Sequence, residues 1–207
     1  MKNQFCIYGA SGHTKVIIEI LERRGEFIKG LFDDDPEKKI LLDYRVNHKK
    51  TFLLLNNFNW VIGIGDNVIR KKIVEDNSLN FAEVIDIGTN ISKRITVGKG
   101  TVIMPGVTIN SSVVIGRHAI VNTNASIDHD CILMDYVHIS PNATLCGGVR
   151  IGEGTHIGAG AVIIPGIKIG NWVKIGAGSV IIRDVPDNAT VVGNPGRIIN
   201  NGNRNSK

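Results

Sequence analysis

The chain has 207 residues, enough for one large domain or for a small domain followed by a medium one. Apolar residues make up 43%, aromatic residues only 5%, and there are 24 glycines, so the interior is expected to be narrow, repetitive and filled by small branched aliphatics. The net charge of +5 is spread along the chain without interleaved aromatics, which excludes a nucleic-acid surface and leaves two meanings, attraction of anionic ligands such as phosphorylated cofactors or simple solubility.

Three cysteines, Cys6, Cys131 and Cys146, sit in unlike contexts with no Cys-x-x-Cys spacing. Neither a disulfide framework nor a structural zinc site is expected. No apolar run approaches the roughly 18 residues of a membrane span. The chain opens on a strand pattern, not on a charged segment with a signal core, and a cytoplasmic protein is expected.

Residues 1–79 alternate strand and helix patterns. Phe5-Cys6-Ile7-Tyr8 reads as a strand, Gly9-Ala10-Ser11-Gly12-His13 as a tight turn, and Val16, Ile17, Ile20 and Leu21 as the apolar stripe of a helix. A second strand, Phe27 to Phe32, ends in Asp33-Asp34-Asp35. A third, Trp60 to Gly65, leads through Asp66-Asn67 into a helix from Val68 to about Glu75, which Asp66 or Asn67 is placed to cap. This is half of a dinucleotide-binding pattern with a G-x-x-G turn, so a small Rossmann-like α/β domain is expected. The helix start after the turn suits a phosphate, and the acids after the second strand suit a ribose or sugar hydroxyl. A β/α domain with a tight turn and a surface acidic loop is the plainer alternative.

From residue 80 the pattern changes. Stepping by six from Val97 meets Ile103, Ile109, Ile115, Val121, Ile127, Leu133, Ile139, Leu145, Ile151, Ile157, Ile163, Ile169, Ile175 and Ile181, and Ile85 and Ile91 extend the series backwards. A small or β-branched residue follows four places later. Glycine often follows directly, as at Gly98, Gly116, Gly152, Gly158, Gly170 and Gly176, where it is expected to permit the bend. Neither helix nor simple strand has this period, whereas a parallel β-helix of hexapeptide repeats does. Three hexads close a triangular coil, and coils stack about 4.8 Å apart. The coil is expected over 80–186, with a C-terminal tail over 187–207 whose end is flexible. No insertion breaks the period, so a site must come from the coil surface, the flanks or a neighbouring subunit.

Six histidines are the candidate chemical groups. His48 reads as a surface residue, and His118 and His156 as outward structural positions. His13 either donates to a phosphate or sugar or faces solvent. His129 lies in Ile127-Asp128-His129-Asp130, and residues 18 apart stack, so Gly147 leaves a hollow beside its ring. An outward imidazole flanked by acids is a reasonable general base; a charged polar face is the alternative. His138 is half a coil further on, so a site using both histidines needs two subunits. No third ligand accompanies His138 and His156, and no metal is expected.

These residues together resemble a known family. The Gly9–His13 turn, Phe32-Asp33-Asp34-Asp35, Ile64-Gly65-Asp66-Asn67 with Arg70-Lys71-Lys72, the hexapeptide coil and Gly193-Asn194-Pro195 with Arg197 are similar to sugar O- and N-acyltransferases of the sialic acid acetyltransferase type. They are most similar to bacterial acetyltransferases acting on nucleotide-linked amino sugars such as UDP-4-amino-4,6-dideoxy sugars. The resemblance implies a left-handed coil, a homotrimer and acetyl-CoA in the cleft between adjacent coils. It implies His129 as the base and Asp130, where relatives often carry Glu, as its acidic partner. His138 would contact the acetyl group, and the Gly147 amide would stabilise the oxyanion. Ile157, Gly158, Ala159, Gly176, Ala177, Asn194, Pro195 and Arg197 would hold the rest of the cofactor. Gly9, Ser11, Gly12, His13, Asp33, Asp34, Asp35, Gly65, Asp66 and Asn67 would touch the nucleotide sugar. O-acetylation of a sugar hydroxyl is the rival reading; a zinc coil of carbonic anhydrase type would need three histidine ligands that His129, His138 and His156 do not supply.

Overall fold

A computed structural model describes residues 3–48 and 57–201. The expected flexible end of the tail lies outside the described residues. In chain order the first part contains β1 (Gln4–Tyr8), α1 (Gly12–Arg23), β2 (Phe27–Phe32), β3 (Ile40–Leu41), β4 (Tyr44–Asn47), β5 (Asn59–Ile62) and α2 (Asn67–Glu75). The sheet order is β3-β4-β2-β1-β5, parallel except for the β3–β4 hairpin, which sequence reading did not anticipate. The α1 stripe buries Ile17, Ile18, Ile20 and Leu21. Gly25, at φ +67°, ends the helix: its N–H bonds Glu22 O and the next N–H, of Glu26, bonds Leu21 O. Asp66 caps α2 by accepting from Ile69 N at 2.9 Å.

From Val84–Ile85 to Val180–Ile181 the chain is a left-handed parallel β-helix of two-residue strands on three faces. The stepped aliphatics are the second residue of each strand and point inward, on the flats of the triangle; from Ile103 to Ile181 they are at most 3% exposed. With Val107, Val113, Ala119 and their successors they form one continuous core. Each buried Ile or Leu contributes about 1.5–3 kcal/mol.

The glycines after the aliphatics do not make the bends. The left-handed residue stands two places further on and recurs every six: Gly100, Gly106, Ser112, His118, Asn124, Asp130, Tyr136, Asn142, Gly148, Gly154, Gly160, Gly166, Trp172 and Gly178 all have φ between +53° and +75°. Gly98, Gly116, Gly152, Gly158 and Gly170 are needed for a different reason. A Cβ on any of them would lie 2.5–2.6 Å from backbone atoms of the next coil.

The coil does not stop at Ile181. Lys174 pairs with Thr190, a turn of 16 residues instead of 18, so Thr190–Val192 becomes the next strand of one face. Arg197–Asn200 then folds back antiparallel beside it.

The two parts share a core: Ile17, Ile18 and Leu21 of the first cluster with Val84, Val102 and Met104 of the coil. The polar fastening is Arg70, 1% exposed. Its guanidinium donates to His118 O (2.8 Å), Tyr136 O (2.9 Å), Ile64 O (3.0 Å), Gly65 O (3.1 Å) and Asn67 Oδ1 (2.7 Å). Asn67 Nδ2 donates in turn to Gly154 O at 2.9 Å, and Lys71 pairs with Glu153 while lying 5.8 Å from the Tyr136 ring centre and 5.4 Å from that of Trp172. Burial pushes the Arg70 pKa down to about 10, so the group remains charged at neutral pH.

Removing Arg70 strands several buried carbonyls at once. Arg70→Met is expected to destabilise the protein by about 3–5 kcal/mol, read as a lower denaturation midpoint, and Arg70→Lys to recover only part because an ammonium has three donors where the guanidinium fork has five.

Candidate active site

The first half of the site is a crevice at the carboxyl ends of β1 and β5, where strand order reverses from β2 on one side of β1 to β5 on the other. Such switch points are where open α/β sheets bind ligands. Two turns cross closely there. Gly9 has φ +105°, and a Cβ on it would lie 2.6 Å from Ile64 Cγ1; one on Gly63 would lie 2.0 Å from Thr14 Oγ1. The Thr14 hydroxyl is shared between Gly9 O (2.6 Å) and Gly63 O (3.0 Å) and ties the turns together. Ser11 and Gly12 stand exposed at the start of α1, with no side-chain cap on the helix.

The three acids after β2 divide their work. Asp33 is 9% exposed and accepts from Ala10 N (2.6 Å), Asp35 N (2.9 Å) and Lys38 Nζ (2.9 Å). Burial works to raise its pKa, but the bonds from Lys38, Asp35 and Ala10 together hold it below the usual carboxylate value. Asp33 therefore builds the loop. Asp34 accepts from Tyr8 OH at 2.5 Å and is exposed beside it, as is Asp35. Asn67, expected at the sugar, is buried with both amide ends taken by Arg70 and Gly154, and Asp66 is used as the α2 cap.

Between this crevice and the coil lie three imidazoles. His13 is 6.4 Å from His138, and His138 stacks on His156 at 4.7 Å. Burial, reinforced by Arg70, pushes the His13 pKa down to about 4, and its buried Nε2 has no hydrogen-bond partner. His13 is thus a neutral imidazole with an enclosed Nε2, not a positive charge beside the crevice. His138 Nδ1 lies 3.2 Å from Gly65 O, which can only accept, so Nδ1 carries the proton and Nε2 accepts from Asn122 Nδ2 at 3.2 Å. Burial and the neighbouring cationic and imidazole groups push its pKa down to about 3. His156 Nε2 meets Ser140 Oγ at 2.7 Å. His118 is buried at the corner, edge-on to Phe81 and stacked on Tyr136, which is a packing role.

The second half is His129, at the corner that follows Ser126–Ile127. It opens on a cleft of about 440 Å³ lined by Asn90, Ile91, Ser92, Ile109, Asn110 and Ser111. Nδ1 is 2.7 Å from Asp130 Oδ2, and Asp128 Oδ2 is 3.9 Å from Nε2. Asp128 is itself held by Asn110 Nδ2 (2.7 Å) and His129 N (2.8 Å). The hydrogen bond to Asp130, then the charge of Asp128, raises the His129 pKa above its ordinary value. The left-handed conformation of Asp130, φ +61°, turns its carboxylate back onto the preceding ring. Gly147 does not leave a hollow beside the ring; the ring occupies it, since a Cβ there would lie 2.7 Å from both Cε1 and Nε2. The Gly147 N–H has no protein acceptor among the described residues.

The remaining expected residues fall into two exposed groups and one buried residue. Ala159 and Ala177 are exposed one above the other at a single corner, above Gly158 and Gly176, and give it a shallow profile that suits an extended ligand. Asn194, Pro195 and Arg197 are exposed beyond the last coil strand. Ile157, in contrast, is 0% exposed inside the coil, so only its backbone can face a ligand. Cys131 is likewise interior, with burial pushing its thiol up to about 11, which disqualifies it as a nucleophile. Sequence reading assigned no part to Asn122, Ser140 or Tyr136. The only signal for the α2 contacts was the spacing of Asn67, Arg70 and Lys71, which puts them on one side of a helix.

Residues 4–76 match the family model of the PglD N-terminal domain, and residues 148–183 that of the bacterial transferase hexapeptide (six repeats). No curated protein matches the chain. Among solved structures, a mutant of perosamine N-acetyltransferase from Caulobacter crescentus, in complex with CoA and GDP-perosamine, is 35% identical, with a TM-score of 0.90 over 95% of this chain and 96% of that one. The acetyltransferase domain of PglB from Neisseria gonorrhoeae, in complex with acetyl coenzyme A, is 34% identical, with a TM-score of 0.88 over 96% and 100%. WeeI from Acinetobacter baumannii is 28% identical, with a TM-score of 0.85 over 95% and 100%. With both halves of its architecture shared along almost the whole length of such relatives, the chain belongs to the hexapeptide-repeat nucleotide-sugar N-acetyltransferase family.

Proposed function

We propose that the protein transfers the acetyl group of acetyl-CoA to the amino group of a nucleotide-linked amino sugar. The observation that carries this reading is the His129–Asp130 couple, standing open over Gly147 in a chain whose relatives bind CoA and GDP-perosamine. The amine lone pair attacks the thioester carbon. His129 Nε2 takes the proton that the nitrogen sheds, while Asp130 fixes Nδ1–H and favours the imidazolium. The unpaired Gly147 N–H is the donor for charge developing on the thioester oxygen. The C–S bond breaks, and the leaving thiolate takes up a proton. No acyl-enzyme is needed.

The finer reading is a homotrimer with each site between neighbouring subunits, working in the cytoplasm, where acetyl-CoA and sugar nucleotides are made. His129 and His138 support it: they belong to different faces of one coil, so the base and the crevice that His138 aligns come together only across two subunits. His138, its nitrogens spent on Gly65 and Asn122, aligns the crevice with the coil.

His129→Ala is expected to lower kcat by roughly 10²–10⁴-fold in a CoA-release assay. Mixed oligomers of His129→Ala and His138→Ala subunits should regain activity that neither variant has alone, because some interfaces then carry both histidines; no regain would place the site within one subunit. The base works in its neutral form and its pKa is raised, so kcat/KM should fall as pH drops through a value above 6.5. Asp130→Asn, which keeps a residue tolerant of φ > 0, should move that limb to lower pH. Gly147→Ala should displace the ring and cost on the order of 10²-fold in kcat with little change in stability.

A further inference from the structure

A pocket of about 610 Å³ lies between the loop after β2 and helix α2. Tyr8 and Asp34 line it from the sheet side. The walls are aliphatic, from Ile64, Val68, Ile69 and Ile73. Val68 and Ile69 are 63% and 51% exposed, which the packing of the chain does not explain and a flat ring lying against them would.

The α2 side of the lining also carries polar groups. Lys72, in the last turn of α2, and Asp76, its C-cap, are four residues apart, and neither side chain has a hydrogen bond or ion pair among the described residues. Asn77 donates one Nδ2–H to Ile73 O at 2.7 Å, which fixes its amide beside them. Beside the aliphatic wall the pocket is therefore lined by one ammonium, of Lys72, and one carboxylate, of Asp76.

We infer that this pocket selects an amino sugar linked to guanosine diphosphate, with the Lys72 and Asp76 pair reading the hydrogen-bonding edge of the purine. The inference rests on the proposed function, which puts the nucleotide sugar in the adjoining crevice. With the diphosphate at the start of α1 and the ribose at Asp34, the base enters the aliphatic slot. Guanine offers two adjacent donors, N1–H and N2–H, to both oxygens of one carboxylate, and its O6 to an ammonium. Uracil has a single N–H between two carbonyls, so one of them would face the second carboxylate oxygen. Cytosine and adenine place a ring acceptor where guanine has N1–H. An unmatched group of this kind is what a hydrogen-bonding site discriminates against.

The test is calorimetric titration of the full chain with GDP, UDP, CDP and ADP, alongside CoA release with one 4-amino-4,6-dideoxy sugar linked to GDP or UDP. GDP is expected to bind about tenfold more tightly than the others, and the GDP-linked sugar to have the higher kcat/KM. Asp76→Asn should reduce the GDP preference to near parity, and Lys72→Met should weaken it. Acetylation with UDP equal or preferred would overturn the inference and leave the acetyltransferase intact. So would an Asp76→Asn variant that keeps the preference. Failure of all four nucleotides to bind, with no CoA release from either sugar, would overturn both.

Discussion

One buried cation holds the molecule together. Arg70 has its five hydrogen bonds satisfied by four backbone carbonyls and one amide oxygen, with no carboxylate among them. Taking a guanidinium out of water is costly unless every donor finds an acceptor, and a partly met set would be worse than an apolar contact. Besides Asn67 on its own helix, the acceptors come from two sources, the turn after β5 and two stacked corners of the coil. The arginine can be satisfied only when both are in place. That coupling fixes Gly65 over His138 and so sets the crevice of the α/β part in register with the coil surface.

The coil was legible because its core obeys a strict rule. An interior triangle leaves no room for any but Ile, Leu or Val at the stepped position, and the period survives every variation around it. The bends were not legible. The left-handed column holds Gly, Ser, His, Asn, Asp, Tyr and Trp in turn, so no residue type marks it. Tyr136 and Trp172 are poor choices for φ > 0 on steric grounds. They are held there by neighbours, Tyr136 by stacking on His118 and Trp172 by a ring seated where Gly154 lacks a Cβ. The β3–β4 hairpin escaped notice for a similar reason: its turn, Leu42-Asp43, carries neither Gly nor Asn.

The site was readable where its parts are neighbours in sequence and obscure where they meet across the molecule. His129 and Asp130 are adjacent, and an 18-residue step leads to Gly147, so their association follows from the repeat alone. The accessibility of Asn67, His118 and His138 depends on α2 lying against the coil, which no local pattern reports. The same contact turns Asn67 from a residue expected at the sugar into part of the fastening. Asp33 differs in kind: its place after β2 was clear, but its three hydrogen bonds make it the frame of the loop and leave Asp34 and Asp35 facing outward.

A stack of parallel strands is an unfinished object, because its last strand offers to the next molecule the same edge that every earlier strand offered to its successor. Here, on one of the three faces, Arg197–Asn200 reverses direction before that edge is presented. Its outer side carries an antiparallel pattern of donors and acceptors, out of step with the first parallel coil of another copy. On that face the hairpin thus works as a terminator, so that a structure built by repetition does not go on repeating there, while the other two faces end at Val180–Ile181 and Lys168–Ile169.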